Sequence, residues 1–132
     1  MKRHRGDRGA AAVETALLLP VLLLIIFGII DFGRMLNAQI TLTEAAREGA
    51  RAVSLGLPPD PRVATVTDGL GGVASPVLDS DCAVAGTEDA IVTVDYTFSF
   101  ITPVGALAGI FAGSGFGGDV SMEGKGVMPC RA

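Results

Sequence analysis

The sequence has one histidine, His4, and it lies among the first nine residues. A lone imidazole there leaves no histidine-based triad and no histidine zinc site for the rest of the chain. The glycine-rich stretch Gly113–Gly118 lacks the Lys-Ser/Thr that must follow a phosphate-cradling loop. Asp79, Asp81, Glu88 and Asp89 do not have the spacing of an EF-hand loop and read as a solvated acidic surface. The expectation is a protein that is not an enzyme and takes no cofactor and no metal. Positive charge is also scarce beyond the start of the chain. Residues 31–132 carry six basic and twelve acidic side chains, whereas residues 1–9 carry Lys2, Arg3, Arg5 and Arg8 against Asp7 alone. An acidic body of this kind has no evident attraction for nucleic acid.

What is abundant is apolar surface. Mean hydropathy is +0.52 over 132 residues, room for one domain. The excess is concentrated in Ala10–Ile30, where Glu14 is the one charge. At about 1.5 Å per residue this block spans about 32 Å, enough to cross a bilayer core of about 30 Å. A cleavable secretory signal is the competing interpretation. The run is long for a signal core, however, and no small-x-small site follows it. The basic cluster before the block then places residues 1–9 in the cytoplasm and everything after residue 30 outside, by the positive-inside rule.

There are only two cysteines, Cys82 and Cys130, both in the part assigned to the outside. That compartment permits disulfides, so the expectation is a bridge closing a loop of about 49 residues and stabilising the domain by roughly 4 kcal/mol. Two free buried thiols are the alternative.

The helix is expected to continue past the membrane. Phe32, Met35, Leu36, Gln39, Leu42, Ala46, Ala50 and Val53 recur at helical spacing as one face, with Gln39 its polar exception. Pro20 is expected to kink the span without ending it, and Gly56 with Pro58-Pro59 to end the element. Asp60-Pro61 opens a short helix. A weak extended segment is expected at Val77–Val84. A clear strand follows at Ile91–Ile101, with Val92, Val94, Tyr96, Phe98 and Phe100 on one face, and a last strand at Asp119–Met128. Val104–Ala112 reads as a packed loop or short helix, and Gly113–Gly118 as a turn. The fold expected is α+β: a long N-terminal helix, part transmembrane and part amphipathic, packed on a small antiparallel sheet. The division is 1–9 leader, 10–30 transmembrane helix, 31–56 extracytoplasmic continuation and 57–132 small extracytoplasmic domain.

The most specific stretch is Arg8-Gly9-Ala10-Ala11-Ala12-Val13-Glu14. A carboxylate inside a transmembrane helix costs about 2.5–3.5 kcal/mol on insertion scales, so Glu14 is a functional candidate. A tolerated interfacial acid is the plain alternative. The stretch resembles the prepilin signal of the type IV pilin superfamily. Together with Leu19-Pro20, Phe27-Gly28-Ile29-Ile30-Asp31-Phe32-Gly33-Arg34 and Ala45-Ala46-Arg47-Glu48-Gly49-Ala50-Arg51-Ala52, it is similar to the TadE-like family of the tight-adherence (Tad/Flp) pilus system. Thr15 stands where that family commonly has a bulky apolar residue.

The resemblance implies a pseudopilin or minor pilin in the cytoplasmic (inner) membrane. A prepilin peptidase would cut between Gly9 and Ala10. The chain would then work with other Tad pilins and pseudopilins, an ATPase motor and the pilus assembly platform. Glu14 would serve assembly, through the Ala10 amine of a neighbouring subunit or of its own chain. Ala10, Ala11, Ala12 and Ala16 would let helices approach closely. A single-pass anchored binding module or adhesin, with no pilus role, is the alternative function.

Overall fold

The computed structural model describes residues 6–106 and 118–131. Lys2, Arg3 and Arg5 of the expected basic cluster and His4 lie outside them, as do 107–112 of the expected apolar segment and 113–117 of the expected turn. The elements run α1 (Gly6–Ser54), α2 (Asp60–Thr67), a 3-10 turn (Asp68–Leu70), β1 (Ala74–Ser80), β2 (Asp89–Phe98) and β3 (Val120–Pro129). The class is α+β, as expected. α1 continues through Pro20 without a break. It stops where Gly56 adopts φ +73°, a left-handed conformation that a side chain would resist. There the Gly56 N–H bonds Val53 O and the Leu57 N–H bonds Ala52 O, both at 2.9 Å, which is the pattern of a Schellman cap.

The chain divides into two compact units, Met1–Phe32 with Phe100–Gly118, and Gly33–Ser99 with Asp119–Ala132. In the first, the helix is sheathed in exposed apolar side chains, with Leu24 and Phe27 half-buried. Asp31 is completely buried and accepts a hydrogen bond from the Thr102 hydroxyl. Residues 104–106 are helical.

The second unit is an antiparallel meander in the order β1-β2-β3, with the later part of α1 packed on one face. Val92, Val94, Tyr96 and Phe98 of β2 point inward, as their alternation requires. β2 starts and ends earlier than expected, at Asp89 and Phe98. β1 is Ala74–Ser80, upstream of the expected Val77–Val84. From Asp81 the chain turns instead: the Asp81 carboxylate accepts the Ala83 N–H at 3.0 Å, and Gly86 has φ +91°.

The helix sits very close to β3. A Cβ added at Gly124 would lie 2.5 Å from the carbonyl carbon and oxygen of Leu42, and one at Gly126 would overlap the Ala46 carbonyl. Glycine in this strand is therefore space for another backbone. On the helix side most of the buried residues are also small, Ala38, Ala45, Ala46, Gly49 and Ala50, with Leu42 the large exception. Gly49 faces Val63 of α2 and Val92. Phe32 and Leu36, expected on this packed face, are instead 60% and 62% exposed. Gln39 explains its own place, since its side-chain Nε2 donates to the Glu123 carbonyl of β3 at 2.9 Å.

Candidate processing and assembly site

Gly9, Ala10 and Glu14 all lie on α1 and all are exposed. Among the described residues nothing approaches within 4 Å of a Cβ built at Gly9, so they leave the Gly9–Ala10 junction uncovered. Ala10 and Glu14 are four residues apart, about one turn, and therefore share a face.

Around Glu14 the neighbours Val13, Leu17 and Leu18 are exposed and apolar. Among the described residues the Glu14 carboxylate has no hydrogen bond or ion pair. Thr15, the other polar side chain here, is satisfied locally by donating its hydroxyl to the Ala11 carbonyl at 2.9 Å. The two polar groups thus differ: one is closed within its helix, the other is available to a donor outside it.

Cys82 and Cys130 form a disulfide, with their Cα atoms 5.5 Å apart. Cys82 lies in the turn after β1, and Cys130 just beyond β3, where its N–H bonds Glu88 O at 2.8 Å. The bridge belongs to the sheet unit and Gly9, Ala10 and Glu14 to the helix unit. The four acidic residues near it do not gather into a site. Asp79 accepts from the Thr93 hydroxyl and Asp81 from Ala83. Among the described residues no group of three or more His, Cys, Asp or Glu could hold a metal ion.

α1 is also the one described helix that is long and apolar enough to cross a membrane, and its most apolar window is wholly unburied. The model of the family described as TadE-like protein matches residues 9–51. The likeness covers this segment, about a third of the chain. The matched residues begin at the Gly9–Ala10 junction and run through Glu14 into the packed part of α1. No curated protein and no solved structure matches the chain significantly.

The TadE-like segment includes residues whose place in the fold the spacing alone did not give. Arg34 stacks its guanidinium over the Phe98 ring, 5.2 Å from the centroid. Ala46 and Gly49 form the close contacts with Gly126 and with Val63 and Val92. Gly124 and Gly126, outside the matched segment, were also missed as packing residues. Their signal was present, because isolated glycines in a strand pattern mark close backbone approach.

Proposed function

We propose that this chain is a TadE-like pseudopilin or minor pilin of a Tad-type pilus or secretion apparatus. The supporting observation is the coincidence, within the segment similar to the TadE-like family, of an uncovered Gly9–Ala10 junction and an exposed Glu14 with no partner among the described residues, on an apolar helix. Residues 1–9 are a cytoplasmic leader removed by a prepilin peptidase, and 10–30 hold the chain in the inner membrane. Residues 31–56 and 57–132 form the part outside.

Removal of the leader creates an amine on Ala10. In a bundle of such helices that amine is a natural partner for Glu14 of a neighbour, since an unpaired carboxylate in hydrocarbon is expensive. Other Tad pilins and the assembly platform supply the surroundings in which this pairing is used.

N-terminal sequencing of the membrane-extracted protein tests the processing step. The expected start is Ala10, and Gly9→Ala should leave a species nine residues longer that is still membrane-bound. An intact N-terminus in the wild type would instead favour a plain anchored binding module.

A further inference from the structure

The bilayer accounts for the apolar side chains that α1 leaves exposed before Asp31. It does not by itself account for Ile101, which lies on a different segment and is 67% exposed. The position of that segment is fixed by the Thr102 hydroxyl, which donates to the buried Asp31 carboxylate. Asp31 is the first residue after the apolar block 10–30. The hydrogen bond therefore holds Ile101 and its neighbours beside the helix where its apolar span ends.

Composition supplies a second, independent observation. The nineteen residues from Phe100 to Gly118 contain no charged side chain, although residues 31–132 as a whole are rich in acid. Phe100, Ile101, Val104 and Leu107 are apolar, and the same stretch groups with Met1–Phe32 in one compact unit. A stretch of this length turned to water in an acidic domain would be expected to carry charge.

We infer that residues 100–106 rest in the headgroup region of the outer leaflet, giving the chain a second contact with the bilayer beside its spanning helix. This rests on the membrane-anchored reading of α1 given above. The depth follows from backbone chemistry. Residues 100–103 form no helix or strand, and irregular backbone is not tolerated where lipid tails surround it. The interface, about 5–10 Å deep at the headgroup boundary, accepts apolar side chains while leaving water for carbonyls. Pro103 brings no N–H that would need an acceptor. The Thr102 hydroxyl donates to the buried Asp31 carboxylate, so neither polar group enters the interface unpaired.

The chain contains no tryptophan, so a single introduced indole reports its own surroundings. The experiment uses full-length Ile101→Trp in phosphatidylcholine–phosphatidylglycerol vesicles, with and without lipids brominated near the top of the acyl chain. The expected result is blue-shifted emission of which about half is lost to the brominated lipid, as for an interfacial side chain. Leu22→Trp, within the span, should also be quenched, and N-acetyltryptophanamide added to the same vesicles should not be. Ala106→Trp, at another exposed position of the stretch, reads the same contact if the first variant does not fold. Unquenched emission at 101 and 106 with a quenched Leu22→Trp overturns the second contact and leaves the anchor standing. Blue-shifted but unquenched emission would mean that protein covers the segment, which also overturns it. An unquenched Leu22→Trp would remove the anchored reading, and this inference with it.

Discussion

Two populations of apolar side chains follow one another along α1. From Leu17 to Ile30 they are large and mostly turned outward, as at Leu17, 71% exposed, and Ile29, 68%. From Ala38 to Val53 the inward residues are mostly small, and Ala45, Ala46 and Ala50 have no exposed surface at all. The same helical period thus serves two media by opposite means. Lipid rewards area, at about 25 cal/mol per Å² of apolar surface removed from water, so bulk is favoured where no protein partner constrains it. A sheet that offers Gly124 and Gly126 rewards a close fit, because the helix backbone can approach this strand only where the strand carries no side chain. One stretch tolerates changes of shape; the other is fitted to a single partner.

The contrast can be broken most severely at β3. Gly126→Val would drive a branched side chain into the Ala46 carbonyl, and backbone cannot yield as a side-chain tip can. The expected loss is about 5 kcal/mol, in the exceptional class for a point change. Denaturant unfolding of the detergent-extracted protein measures it, and a loss under about 1 kcal/mol would mean that helix and strand are not in close contact. Next in size is Cys130→Ser, which opens the bridge to Cys82 and should cost roughly 2–5 kcal/mol. Unfolding midpoints with and without reductant check this, with the wild type in reductant converging on the variant.

The smallest effect on stability is expected at Glu14, and it sharpens the contrast most. Glu14→Leu replaces an exposed carboxylate among apolar neighbours, so insertion and folding should be at least as good as in the wild type. Crosslinking to partner subunits, or piliation, should nevertheless be lost, with Glu14→Gln between the two. A Glu14→Leu protein that is processed, abundant and fully competent would reduce this residue to a tolerated interfacial acid.

Much of the architecture was legible because it depends on period and punctuation. The length of α1, its stop at Gly56, the start of α2 at Asp60-Pro61 and the inward face of β2 all follow from local rules. The medium facing each side chain was not legible. Phe32 and Leu36 have the spacing of a buried face, but an apolar stripe reads the same whether it meets protein or something else. β1 was displaced because turn chemistry at Asp81 and Gly86 overrode the apolar pattern of Val77–Val84. The candidate site divides in the same way. The Gly9–Ala10 junction and Glu14 stand out as chemical exceptions in a uniform block, whereas the role of Gly124 depends on a helix about 80 residues away in sequence.

The glycines of β3 have a consequence for folding fidelity. A strand that presents Gly124 and Gly126 to the core offers few inward side chains to mark its alignment, and such strands are prone to slip. A slip of two residues preserves the faces but would bring Met122 opposite Val94, or Met128 opposite Val92, in place of glycine. It would also shift Cys130 along the strand by about 7 Å. Cysteines are bridged only when their Cα atoms lie within about 7 Å, and here they stand at 5.5 Å. Oxidation therefore proofreads the alignment: the correctly paired strands can be sealed, while the slipped forms stay unbridged and free to open again.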